Sequence, residues 1–138
     1  ENLSFWNGLP NLYELAKEIS PDDTKFQYLD AAQLIKHILG LKKNSDEYNA
    51  NLVQKHHFVE GKRNLILKRN FHLLYLWYDV IGKEGSKHRK EIEQFAEIAK
   101  KDNIKFSHIT YQEVIAKLLK EFYNGNESYC NYLTDRYL

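Results

Sequence analysis

The sequence has a single cysteine, Cys130, which excludes an intramolecular disulfide framework and an all-cysteine metal site. A lone cysteine also fits a reducing compartment. Long hydrophobic runs are missing too. No apolar stretch approaches the roughly 18 to 20 residues that cross a bilayer, and no signal-peptide pattern opens the chain. We therefore expect a soluble, cytoplasmic protein with no membrane partner.

Methionine is absent altogether, and the chain begins with Glu1. Because translation starts with methionine, we expect that further residues of the natural protein precede Glu1. Removal of the initiator methionine, or a trimmed chain, is the alternative.

Proline and glycine are scarce, at 2 and 6 of 138 residues, while 43% of the residues are hydrophobic. This composition excludes a disordered or low-complexity chain and predicts one α/β domain over residues 1–138. Neither sign of charge predominates, because the chain has 20 basic and 19 acidic residues and a net charge of +1. Any nucleic-acid binding must therefore come from a local basic patch.

Apolar periodicity predicts the order helix–helix–strand–helix–strand–helix–helix. The run "FHLLYLWYDV" (71–80) is typical of a strand buried between helices, and "IKFSHI" (104–109) of a second strand. The predicted helix between them, 86–103, indicates a crossover that joins adjacent parallel strands. A sheet of only two strands is too small to be stable by itself. Unless "HHFVE" and "NLILK" add strands, we expect an incomplete mixed sheet flanked by helices.

Capping signals predict several helix ends. Pro10 suits the first position of a helix, and one of residues 22–24 is expected to cap the next helix, Lys25–Gly40, with Gly40 as its C-terminal cap. The polar stretch after Gly40 is expected to be irregular. Thr110 and Glu113 have the spacing of a capping box.

Common enzyme motifs are missing. The chain has no glycine-rich phosphate loop, no Gly-x-Ser-x-Gly elbow and no nucleophile signature around Cys130. The six histidines are not spaced as metal ligands, so they are expected to be exposed or capping residues.

Two acidic segments superficially spell a nuclease pattern. "PDD" (21–23) and "VEGK" (59–62) match Pro-Asp…Glu-x-Lys, in which Asp22 and Glu60 would hold Mg²⁺ and Lys62 would orient the attacking water. A whole predicted helix separates the two halves, and Glu60 to Lys62 also reads as a turn. The two residues are therefore only weak candidates as metal ligands.

Polar side chains recur along the second predicted helix. At about 100° per residue, Asp30 and His37 nearly superpose, and Gln33 lies between them and Lys36. Either these residues are an ordinary solvated face, or they form a row of donors beside a catalytic edge.

A set of segments resembles the C-terminal half of a restriction-endonuclease-related domain of the PD-(D/E)XK nuclease superfamily. They are "FQYLDAAQLIKHILGL", "LLYLWYDVIG", "HRKEIEQFAEIA", "IKFSHITYQEVIAKLL" and "YCNYLTDRYL". The resemblance implies a restriction-endonuclease-like fold and a Mg²⁺-dependent DNA endonuclease as the parent protein.

The resemblance also implies roles for single residues. Gln33 and Lys36 become auxiliary residues on a helix beside the active site, whereas the metal-binding carboxylates lie before Glu1. Glu60 and Lys62 then fall in an insertion loop, and this chain alone is expected to be inactive. DNA is the implied partner, with a homodimer as a further expectation.

The competing interpretation is a non-catalytic module that binds nucleic acid or protein. Its DNA-binding candidates are the basic residues of two segments, with the C-terminal tyrosines beside them. The basic residues are Lys62, Arg63, Lys68 and Arg69 in the first segment, and Lys87, Arg89 and Lys90 in the second.

Overall fold

The computed structural model of the protein describes residues 3–56 and 69–138. In these ranges a short 3-10 turn, Leu3–Trp6, precedes five α-helices and two β-strands. In chain order they are α1 (Pro10–Glu18), α2 (Ala31–His56), β1 (Leu73–Trp77), α3 (Lys83–Lys101), β2 (Phe106–Thr110), α4 (Tyr111–Phe122) and α5 (Glu127–Tyr137). The order of helices and strands agrees with the prediction. The proposed strands "HHFVE" and "NLILK" lie outside the described residues, except for His56 at the end of α2.

The first helix starts where predicted, with Pro10 at its first position. Its N-terminus is held by a distant residue. The Asp102 carboxylate accepts hydrogen bonds from the backbone N–H groups of Asn11 and Leu12 and from the Asn11 side chain. Asp102 is 7% exposed and follows α3, so this contact joins the two helices.

The second helix differs from its prediction at both ends. Residues 22–24 do not cap it, because the Asp23 carboxylate instead accepts hydrogen bonds from the backbone of Lys25 and Phe26 in the preceding loop. Asp30 is the capping residue, and its carboxylate accepts from the backbone N–H of Gln33. At the other end, the helix continues through Gly40 to His56.

Gly40 fails to end α2 because nothing there requires a left-handed backbone. The residue keeps a helical φ, and a mid-helix glycine costs only about 1 kcal/mol relative to alanine. The following turn is stabilised by an ion pair at i, i+4 spacing, in which Lys42 Nζ and Asp46 Oδ2 are 2.5 Å apart. The predicted irregular stretch is therefore helical as far as His56.

The two strands form a parallel pair, as the crossover predicted. The register aligns Leu73 with Phe106 and Trp77 with Thr110, and α3 makes the connection. The expectation of a strand covered on both faces is wrong within the described residues. Leu74 and Leu76 are 58% and 42% exposed, whereas Trp77 is only 3% exposed. Burial alternates along β1 because Leu73, Tyr75 and Trp77 face the core, whereas Leu74 and Leu76 point away from it.

The main core lies between that covered face and helices α1, α2 and α3. It includes Leu9, Leu12, Leu15, Ile38, Trp77, Ile92, Phe95 and Ala99. Helices α4 and α5 pack mainly on each other, with Ile115 and Cys130 as their buried residues. The predicted capping box is confirmed, because Thr110 and Glu113 exchange hydrogen bonds at the start of α4. No helix in the described ranges has the length and apolar character needed to cross a bilayer.

Candidate functional site

Both strands end at the same edge of the sheet, and a cleft of about 660 Å³ opens there. In α/β proteins, ligands usually bind beyond the carboxyl ends of parallel strands. The cleft is bounded by the segment after β1, the first turns of α3 and α4, and the end of α5. Its lining includes Tyr78, Asp79, Ser86, Arg89, Gln112, Glu113 and Tyr137.

An ion pair lines this cleft. Arg89 Nη2 donates to Asp79 Oδ2 at 2.8 Å, and the guanidinium carbon is 5.0 Å from the centroid of the Trp77 ring. The Gln112 side chain fixes the backbone of Asp79: its Nε2 donates to the Asp79 carbonyl at 2.8 Å, and its Oε1 accepts from the Asp79 N–H at 3.3 Å. Arg89 is thus held in one position by a carboxylate and an aromatic face.

The loop after β1 approaches α3 closely, and Gly85 permits this approach. A Cβ atom on Gly85 would lie 1.9 Å from the carbonyl oxygen of Val80 and 2.6 Å from Asp79 Oδ1. Only glycine leaves room for the loop at that point. The position of Asp79 in the cleft therefore depends on the missing side chain of Gly85.

The Glu113 carboxylate borders the cleft from the side of α4. Hydrogen bonds from the Thr110 backbone and hydroxyl, with a smaller contribution from the charge of Arg89, lower the pKa of Glu113 against a weak opposing effect of burial. Glu113 is therefore ionised at neutral pH, and both its negative charge and that of Asp79 lie within the cleft.

Aromatic and imidazole rings support the cleft from inside the protein. The ring centroids of His88 and Trp77 are 4.8 Å apart, and His88 Nε2 is 3.2 Å from the Tyr75 hydroxyl oxygen. Burial lowers the pKa of His88, while the charges of Glu91 and Asp79 act in the opposite direction. Trp77 Nε1 donates to His108 Nδ1 at 3.2 Å. These contacts fix the ring on which Arg89 rests.

The sequence-predicted auxiliary residues lie elsewhere. Gln33 and Lys36 are exposed on α2, and neither lines the cleft. Lys36 borders a separate, mainly apolar groove beside Trp6 and Ile35. Asp30 caps the helix and does not extend a polar row along it. Of the four polar residues, Asp30 is the helix cap, and Gln33, Lys36 and His37 are exposed to solvent on α2.

Only one of the two weak metal candidates, Asp22, lies in the part of the chain that the structure describes. Asp22 is exposed in the loop before α2, and Glu60 lies outside the described residues. Across residues 3–56 and 69–138, no three His, Cys, Asp or Glu side chains gather as a possible metal site. The carboxylates at the sheet edge have other partners: Asp79 pairs with Arg89, and Glu113 is in the capping box. The described residues therefore do not fit a Mg²⁺ site, and we assign no reaction step to the metal.

Of the two basic segments, the structure describes the second one and, from the first, Arg69 alone. Lys87 and Lys90 are exposed on α3 beside the cleft, whereas Arg89 is paired within it. Arg69 lies at the opposite, amino end of the sheet, where its guanidinium covers the Tyr48 ring at 3.9 Å and Asn49 binds its backbone. Lys62, Arg63 and Lys68 lie outside the described residues.

Sequence reasoning did not identify Asp79, Gln112 or Tyr78 as site residues. The available signal was their position: Tyr78 and Asp79 lie near the C-terminal end of the predicted strand 71–80, and Gln112 lies in the first turn of the helix that follows the second strand. Comparison with models of known protein families, with curated proteins and with solved structures finds no match for this chain.

Proposed function

We propose that this chain is the DNA-binding part of a Mg²⁺-dependent endonuclease with a restriction-endonuclease-like core. The observation that supports DNA binding is the exposed face of α3. Lys83, Lys87 and Lys90 project from that face, and none forms an ion pair within the described part of the chain. Unpaired lysines beside a cleft attract phosphate and release counterions when DNA binds.

The nuclease part of the proposal is supported by the resemblance stated above. The order helix, strand, helix, strand from α2 to β2 is the order that this resemblance leads us to expect after a metal-binding hairpin. In this proposal the metal-binding carboxylates come from outside the described residues. Gln33 and Lys36 keep their auxiliary role, since both are exposed and free to contact a substrate.

DNA binding can be measured by fluorescence anisotropy with a labelled duplex over a range of salt concentrations. We expect log K to fall linearly with log salt. The double variant K87Q/K90Q should reduce the magnitude of that slope by about 2, since each lost phosphate contact contributes about 0.9. The matched control is K100Q/K101Q, which removes the same charge at the other end of α3. Equal slopes for the two variants, or no salt-dependent binding, would contradict the proposal.

Cleavage is tested separately with supercoiled plasmid and Mg²⁺. We expect this chain to bind without nicking, because the carboxylates beside the cleft already have structural partners. The same result fits a non-catalytic DNA-binding module. Nicking by a longer gene product that contains this chain would then favour the endonuclease over the module. Nicking by the chain itself would instead support Glu60 and Lys62 as active-site residues.

Protein binding, here as a homodimer, is the second candidate function. Leu74 and Leu76 favour it, because they are 58% and 42% exposed side by side on the face of the sheet that none of the described helices covers. Sedimentation velocity of the wild type and of L74S/L76S is the test. A dimer that the double variant abolishes would support this function, and a monomeric wild type at high concentration would exclude it.

A further inference from the structure

Aromatic rings border the cleft beside the basic face of α3. Tyr78 is 45% exposed on one side of the cleft. On the other side, Tyr137 stacks on Tyr111, with ring centroids 5.7 Å apart and planes inclined by 14°. Exposed tyrosine rings at a basic surface are typical stacking partners for unpaired bases.

The polar groups of the cleft are occupied by contacts within the protein. The Gln112 amide binds the Asp79 backbone through both of its heteroatoms, and the Glu113 carboxylate binds Thr110. Arg89 is paired with the Asp79 side chain. Contacts within the protein therefore compete with any hydrogen bond between these groups and a base edge, so strong sequence readout is not expected.

Two carboxylates, Asp79 and Glu113, lie in the lining of the cleft with one cation, Arg89, which is paired with Asp79. These side chains together leave a negative charge, which disfavours phosphate in the lining. The lysines lie outside it. At about 100° per residue, Lys83 and Lys90 project within about 60° of Ser86, the α3 residue at the edge of the cleft. A nucleotide therefore fits with its uncharged base in the cleft and its phosphate at the lysines.

We infer that the cleft receives an unpaired nucleobase, so that the chain binds single-stranded DNA more tightly than duplex, without sequence preference. In a duplex the faces of the bases are already stacked, and only an unpaired base presents a face to Tyr78. This inference rests on the proposed DNA-binding function and names the form of DNA that the site takes.

Matched oligonucleotides test the inference. A labelled 20-mer is titrated with the chain as a single strand and as a duplex, at one salt concentration. We expect at least about tenfold tighter binding of the single strand, which corresponds to stacking of one base. Homopolymers of T, C and A should bind within about threefold of one another. A preference above tenfold among them would contradict the absence of sequence readout.

Variants of Tyr78 locate the binding site. Y78A should weaken single-strand binding about 5- to 100-fold and leave duplex binding unchanged, since only the stacked base is lost. Y78F keeps the ring and should bind like the wild type. The control is Y129A, on α5 outside the cleft, whose side chain is 60% exposed.

The two proposals fail differently. Salt-dependent binding that K87Q/K90Q weakens, but that neither favours single strands nor responds to Y78A, would refute the base-binding cleft and keep the DNA-binding face. Loss of single-strand preference in Y78A with a normal salt slope supports the cleft. Absence of binding to both forms of DNA refutes both proposals.

Discussion

Substitution of Asp102 by alanine should destabilise the protein strongly, although the residue lies outside the cleft. The Asp102 carboxylate accepts three hydrogen bonds, of 3.1 and 2.7 Å from the Asn11 backbone and side chain and of 2.8 Å from the Leu12 backbone. It is 7% exposed, and Leu12 is fully buried. In D102A, two backbone N–H groups at the start of α1 lose their acceptor in a site that water reaches poorly.

The expected loss follows from the number and burial of these donors. A buried donor left without a partner costs about 1–3 kcal/mol, and Asn11 regains part of this from water because it is only partly buried. The variant is also relieved of the cost of burying a carboxylate. We expect a net loss of about 3 kcal/mol for D102A. D102N keeps one acceptor oxygen and should lose about 2 kcal/mol.

Equilibrium unfolding in urea, followed by tryptophan fluorescence and by circular dichroism, measures these changes. The control is D135A, which removes an exposed aspartate from α5 and should change the free energy of unfolding by less than about 0.5 kcal/mol. A loss below 1 kcal/mol for D102A would show that the Asp102 contacts do not hold α1 on α3.

Two other predictions concern Glu91, whose carboxylate binds the backbone of residues 27–29, and the glycines Gly85 and Gly40. Burial acts to raise the pKa of Glu91, but hydrogen bonds from the N–H groups of residues 27–29 outweigh it and lower the pKa. The stabilisation should therefore be present above about pH 4.3 and be lost as pH falls through the lower folded-state pKa. E91Q should be about 1–2 kcal/mol less stable than the wild type in urea unfolding at pH 7, and an equal difference at pH 3 would contradict this assignment. G85A, whose Cβ would overlap the Val80 carbonyl oxygen, should lose at least about 2 kcal/mol in the same assay. G40A should gain about 0.5–1 kcal/mol as a matched control, because no atom lies within 4 Å of the added methyl group, and a loss in G40A would argue against a continuous α2.

The candidate site was only partly predictable. Lys87 and Lys90 were identified from the sequence as part of a basic run, and both are exposed on α3, whereas the exposed Lys83 was not identified. Arg89 belongs to the same run, but the structure directs it into the cleft, onto Asp79 and Trp77. Spacing along the chain could not separate these cases, because a helix turns each successive residue by about 100° and only packing decides which side faces a neighbour.

Local features of this protein were determined by the sequence alone. The capping box of Thr110 and Glu113 joins residues three positions apart, and the parallel strand pair follows from a crossover helix between two apolar runs. The capping box acts within one helical turn, and the crossover rule leaves few ways to connect two neighbouring apolar strands, so both patterns are visible in the chain. Three features were decided by the tertiary structure: the continuation of α2 to His56, the exposure of Leu74 and Leu76 on the face of the sheet that the described helices leave open, and the cleft at the sheet edge. Asp102 holds Leu12 from 90 residues away, and Glu91 holds Leu29 from 62 residues away. No local pattern encodes such pairs, because only the packed core brings them together.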